Sequence, residues 1–183
     1  MGNQFYKTLI VDGPDGAGKS TLLKQLFGDT HDRVVHALPT PEYKAKCRAE
    51  PEVYLKADKM FDHVCSEMVK AKGQGKLVFD RAWPSTIVYQ QLNPDLLLDL
   101  PAVTLPCLVY LVMPSKDTLR ENAIARGEGA VGLLDEWGMD DVYKRYLDLL
   151  NVHSIQGMTG IDVIVDTGPN PMMFAAAFEL VVR

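Results

Sequence analysis

The sequence predicts an α/β fold: a five-stranded parallel sheet with helices on both faces. Three observations predict it. Short apolar runs alternate with helical segments along the chain. Two of the runs, Lys76 to Asp80 and Cys107 to Met113, have the continuous apolar character that strands covered on both faces require. The first run also feeds directly into a glycine-rich turn that opens a helix, the kind of joint where such sheets collect anions.

In order, the first strand covers about Lys7 to Asp12 around Leu9, Ile10 and Val11. A helix from Lys19 to Phe27 follows, with Leu22, Leu23 and Leu26 at helical spacing. Asp29 to Asp32 is a polar turn, and Val34 to Leu38 a second short strand stopped by Pro39-Thr40-Pro41. From there to Ala71 the tendency is helical, in two pieces broken at Glu50-Pro51, because proline disfavours helix in the residue before it. Gly73-Gln74-Gly75 closes that region. Lys76 to Asp80 is a third strand that ends on a carboxylate, and Cys107 to Met113 a fourth. Ser115 caps a helix from Lys116 to about Arg126. Gly127 to Gly132 is a flexible segment, Asp135 to Val152 a helix, and Ile161 to Asp166 the fifth strand. Asn170 before Pro171 opens the last helix, which runs through Val182.

Composition narrows the function classes. With 183 residues, 47% hydrophobic and 23% charged, residues 1–183 form one domain with a sizeable core. A net charge of -5 argues against a broad basic surface for nucleic acid and favours a small-molecule partner, although a local basic cleft stays open. The longest uncharged stretch, Leu100 to Ser115, holds Pro101, Pro106 and Pro114 and reads as loop and strand, so no membrane partner is expected. Met1 to Tyr6 lacks a signal-peptide core, which gives a cytoplasmic expectation. Cys47, Cys65 and Cys107 show no C-x-x-C spacing and read as reduced thiols, not as zinc ligands.

The candidate site starts at the glycine-rich turn. Gly13 and Gly18-Lys19-Ser20 match G-x-x-x-x-G-K-[ST]. This spacing curls the backbone from Gly13 through Asp15, Gly16, Ala17 and Gly18 to Thr21, so that successive N–H groups point at a di- or triphosphate. Lys19 reaches the outer phosphates of a nucleotide such as ATP, the Ser20 hydroxyl holds Mg²⁺, and the helix dipole adds positive potential. Asp80, at a strand end, could bind Mg²⁺ or accept a proton from an attacking group, and Arg81 beside it could hold an anionic acceptor. Asp15 sits too near bound phosphate to face it, so an acceptor hydroxyl or the metal is its expected partner. Arg120, Arg126 and Glu128 flank the glycine-rich segment, where two arginines on a cover hinged at Gly129 and Gly132 could close over ATP.

Three stretches carry a resemblance: Asp12 to Thr21, Phe79 to Gln90, and Ala125-Arg126-Gly127-Glu128. In order and separation they resemble the thymidylate kinase family of P-loop nucleoside monophosphate kinases. The family pattern D-R-[YH]-x-x-S-x-x-A-Y-Q is met at Asp80, Arg81, Ser85, Tyr89 and Gln90, with Ala82 in place of the aromatic. The resemblance implies a three-layer P-loop kinase fold, with a lid at about 120–136 and an acceptor-binding helical region at about 39–72. It implies that Asp15 contacts the acceptor's sugar, Arg81 its phosphate, and Arg126 the reaction from the lid. Homodimers, frequent in the family, come with it as an expectation.

The departures are specific. Beside the second strand the family has an arginine and a glutamate next to a proline; this chain reads Leu38-Pro39-Thr40-Pro41-Glu42. Where the family stacks an aromatic on thymine and reads the base with arginine, Leu55 and Lys59 stand, so that Tyr54 could replace the stack and Lys59 the base contact. The lid lacks the family's second arginine and acidic pair. Two kinase readings follow. One moves the γ-phosphoryl of ATP to dTMP or a related pyrimidine deoxynucleoside monophosphate. The other, motivated by the missing arginine, phosphorylates a hydroxyl of a deoxynucleoside or of a hydroxymethylated pyrimidine, free or in DNA. A nucleotide-dependent switch fits less well: there is no N-K-x-D motif, and the one D-x-x-G match, Asp135 to Gly138, comes after the fourth strand.

Overall fold

The computed structural model describes residues 6–28, 34–36, 40–54, 56–92, 105–127, 138–151 and 160–182. Strands β1 (Thr8–Asp12), β2 (Val34–Val35), β3 (Val78–Asp80), β4 (Cys107–Val112) and β5 (Ile161–Asp166) form one sheet in the order β2-β3-β1-β4-β5, every pair parallel. Strand side chains alternate between two cores. Leu9, Val11, Leu108, Tyr110 and Val112 pack on one face against α1 (Lys19–Phe27) and α8 (Pro171–Val182). Ile10, Phe79, Val109 and Leu111 pack on the other against α4 (Ala57–Gly73), α5 (Trp83–Gln90) and α7 (Met139–Asn151). The continuous apolar runs follow from this, since both faces of each inner strand are covered.

The elements match the expected order, with four differences. First, the helical region comes in three pieces: α2 (Pro41–Ala49), α3 (Pro51–Tyr54) and α4. The break at Glu50 is where proline demands it; a second falls at Lys56, whose extended backbone (ψ 135°) stands just before α4. Second, α5 had no counterpart in the sequence reading. Residues Trp83 to Val88 are all buried, so this helix shows no polar face from which a helical period could be read. Third, β3 starts at Val78, two residues later than expected, and the described part of β2 is Val34–Val35, with residues 37–39 outside the described residues. Fourth, α7 starts at Met139, not Asp135. Residues 128–137, which carry Glu128, Gly129, Gly132 and most of the expected lid, lie outside the described residues.

The caps behave as their chemistry predicts. Ser115 Oγ accepts from Thr118 N (3.2 Å) at the start of α6 (Lys116–Ala125), and Asn170 Oδ1 accepts from Met172 N and Met173 N (3.1 Å each) at the start of α8. Among the described residues, no helix is long and apolar enough to cross a membrane.

Candidate functional site

β1 ends in the middle of the sheet, between β3 and β4, at the point where the strand order reverses. The crevice beyond such a point is where open parallel sheets bind ligands. Asp12, the last residue of β1, is fully buried and shapes the turn that follows. Its Oδ1 accepts from Gly13 N (2.7 Å), Ser85 Oγ (2.5 Å) and Tyr146 OH (2.9 Å). Its Oδ2 accepts from Ser85 N (3.0 Å) and Ala82 N (3.3 Å). One carboxylate thus joins the loop to the β3–α5 turn and to α7. Gly13 leaves β1 at φ 137°, and a Cβ there would be driven into the Val112 carbonyl oxygen of β4. Only glycine fits this position.

Lys19 opens α1 but points back into the loop, 5% exposed, with Nζ donating to Gly13 O (2.8 Å) and Pro14 O (2.6 Å). Burial is the main cause that lowers its pKa to about 8, assisted by the Arg81 charge and opposed by Asp12, Asp15 and Asp80. An ammonium resting on two neutral carbonyls can exchange them for stronger, anionic oxygen acceptors.

On the far side of the loop, Asp15 Oδ1 is ion-paired with Arg81 Nη2, and the Tyr89 hydroxyl donates to Asp15 Oδ2 (3.4 Å). The Arg81 guanidinium also lies over the Tyr89 ring, 5.7 Å from its centroid. Burial opposes its charge, yet the neighbouring Asp15, Tyr146 and Asp12 hold its pKa above the usual arginine value. The Arg81 backbone is left-handed (φ 60°), unusual for a residue with a side chain, and its N–H is fixed to Val11 O at 2.9 Å. Strain held at a strand end by a main-chain bond is typical of a side chain aimed at a site.

Asp80 ends β3, with Oδ2 3.0 Å from His36 Nδ1 beyond β2. Burial raises its pKa, and the charges of His36, Lys19 and Arg81 oppose the rise. Its Oδ1 is buried with no hydrogen-bond partner. A buried acceptor without a donor fits a cation or a cation's water.

These groups open on one cavity of about 560 Å³, within the range of small-molecule sites. Of the residues expected from the sequence, Asp15, Gly16, Ala17, Gly18, Lys19, Ser20, Thr21, Asp80, Arg81 and Arg126 line it. Arg126 sits beside the loop, its Nη2 3.0 Å from where a Cβ on Gly16 would lie. Gly13 lies buried beneath the cavity, and Tyr89 reaches it through Asp15 and Arg81. Ser85, 3% exposed, is turned into the Asp12 network. Arg120 is not brought in; its Nη1 pairs with Asp117 Oδ1 (3.1 Å) on the exposed side of α6. Lys59 is also turned outward, 3.9 Å from Asp62 Oδ2. Tyr54 ends α3, and its side chain lies outside the described residues.

Five residues of the site went unread in the sequence. Asn122 Nδ2 on α6 donates to Gly16 O (2.8 Å), and Pro169 fills the space a Cβ on Gly18 would take. His36 supports Asp80, while Asp12 and Tyr146 hold the loop from below. Asp12 had a signal: it is a carboxylate at the end of a buried strand, like Asp80. Tyr146 had none, since Val142, Tyr146 and Leu149 read only as a helix's apolar stripe.

No protein-family model and no curated protein matches the chain. Solved structures do. The YorR protein of Bacillus subtilis, in complex with phosphorylated GDP, superposes with a TM-score of 0.63 at 16% identity, over 94% of this chain and 96% of that one. Deoxyadenosine kinase from M. mycoides with bound dATP gives 0.59 at 17% identity, over 94% and 99%. What these likenesses share with the sheet order and the phosphate loop is architecture: the chain has the α/β fold of P-loop kinases.

Proposed function

We propose that the chain is an ATP-dependent phosphotransferase acting on a small nucleotide, with dTMP or a related pyrimidine deoxynucleoside monophosphate as acceptor. One observation carries this reading: the buried Lys19, the loop amides and the Asp15–Arg81 pair open on the same cavity. The nucleotides bound to the two solved structures of this fold support a nucleotide as the ligand. Lys19 and the amides of Gly16 to Thr21 would take the donor's phosphates, and Arg126 would approach them from α6. Arg81 would orient the acceptor, with Asp15 beside its sugar and Tyr89 fixing Asp15. Ser20 and Asp80 would hold Mg²⁺, which neutralises phosphate charge when bound. Such transfer needs positioning and charge neutralisation, with no covalent intermediate.

A hydroxyl acceptor is the second reading, a deoxynucleoside or a hydroxymethylated pyrimidine, free or in DNA. It is favoured by Leu38-Pro39-Thr40-Pro41-Glu42, which supplies no arginine for an acceptor phosphate, and by the deoxyadenosine kinase that shares the fold. ADP release measured with a panel of deoxynucleoside monophosphates, deoxynucleosides and hydroxymethyluracil-containing oligonucleotides separates the two. Turnover of a pyrimidine monophosphate is expected; turnover of hydroxyl acceptors alone would replace the first reading by the second.

A further inference from the structure

Lys19 cannot leave its resting place without stranding what it bonds to. In the free protein its Nζ serves two buried main-chain oxygens, Gly13 O and Pro14 O. To reach a phosphate it must abandon them, and a buried carbonyl without a donor opposes the move. Each oxygen has a second donor at hand. Pro14 O accepts from Ala17 N at 3.3 Å. Gly13 O lies 3.2 Å from the hydroxyl of Tyr146, a fully buried side chain on α7.

That hydroxyl has one proton and three neighbours able to accept it: Gly13 O, Asp12 Oδ1 at 2.9 Å and Ser85 Oγ at 3.2 Å. Asp12 Oδ1 can release it, because Gly13 N (2.7 Å) and Ser85 Oγ (2.5 Å) already supply two donors for its two lone pairs. We propose that Tyr146 is a positioning residue for Lys19: its hydroxyl proton turns from Asp12 to the Gly13 carbonyl when the Lys19 ammonium moves onto a nucleotide's phosphate. No bond is made or broken beyond this exchange of hydrogen bonds. The donor is never in contact with Tyr146, which acts from beneath the loop.

This inference rests on the phosphate-binding reading of the loop, and calorimetric titration with MgATP distinguishes failure of one from failure of the other. Wild-type protein that does not bind MgATP sinks both. Given binding, Tyr146→Phe is expected to weaken it about tenfold, the worth of one buried hydrogen bond left unmade. In a Lys19→Ala background no ammonium leaves Gly13, so adding Tyr146→Phe should change the remaining affinity by less than about twofold. Equal losses in both backgrounds, the mark of a merely structural tyrosine, would overturn the proposal, as would no loss in either. Should Tyr146→Phe fail to fold, Ser85→Ala carries the test. It removes one of the two donors that free Tyr146 from Asp12, so MgATP affinity should fall about threefold or more although Tyr146 is intact. Unchanged MgATP affinity in folded Ser85→Ala overturns the proposal.

Discussion

The floor of the cavity, from Asp12 to Lys19, and a helical wall formed by α2 to α4, none of whose described residues lines that cavity, differ in how firmly their polar groups are held. In the floor, one carboxylate takes five hydrogen bonds and the lysine rests on two carbonyls, with almost nothing exposed. In the wall, Thr40 caps α2 through Tyr43 N (3.2 Å), Thr40 N reaches His63 Nε2 at a long 3.4 Å, and the Tyr43 and His63 rings stack at 4.1 Å. Most of α2 faces solvent, with only Tyr43 buried. A floor whose buried polar groups are tied to one another tolerates one arrangement. A largely exposed helical layer can be altered one residue at a time without disturbing buried partners.

The contrast makes graded expectations. The largest effect should come from Asp12→Ala, which strands the buried N–H groups of Gly13, Ala82 and Ser85. A loss of at least about 3 kcal/mol, or about 6–12 °C in Tm by calorimetry, is expected. A loss under about 1 kcal/mol would show that the floor is no firmer than the wall. Next, Lys19→Ala should keep the fold, by circular dichroism, while kcat for phosphoryl transfer from ATP falls about 10² or more. Unchanged turnover would remove the loop from the chemistry.

Asp15→Asn sits on the border between the two regions. By weakening the pair with Arg81 it should raise the acceptor KM about tenfold and leave the KM for ATP within about twofold in initial-rate measurements. The reverse pattern would move Asp15 to the donor side.

The smallest effect belongs to the wall. Burial first, with Lys70 and Lys46 adding and Glu67 opposing, lowers the His63 pKa, so the unfolded chain takes up the proton before the folded one does. Stability from neutral His63 is full above about pH 6.5 and is lost as pH falls below it toward the folded-state value. Urea titrations at pH 7.5 and 5.5 should show a small loss in wild type that is absent from His63→Gln, the group being half-buried. An identical pH response in both proteins would place the acid sensitivity elsewhere.

What was legible in the sequence follows the same division. The phosphate loop could be read because its parts are neighbours along the chain and each glycine has a local reason. The inner strands could be read because both their faces are buried, and Asp80 and Arg81 because strand ends deliver side chains to the site. The Asp12–Tyr146 bond joins residues 134 positions apart, and nothing in an apolar helix stripe tells that one of its members carries a working hydroxyl. The α5 helix was hidden because burial on all sides erased its period. Arg120 was misplaced for the opposite reason: on a helix with an exposed face, an aspartate three residues away is the nearer partner.

Gly13 is pressed against the Val112 carbonyl so closely that not even one methyl group has room. The turn after β1 is accordingly tied to two neighbouring strands at once, and any side chain at position 13 would have to push β1 and β4 apart.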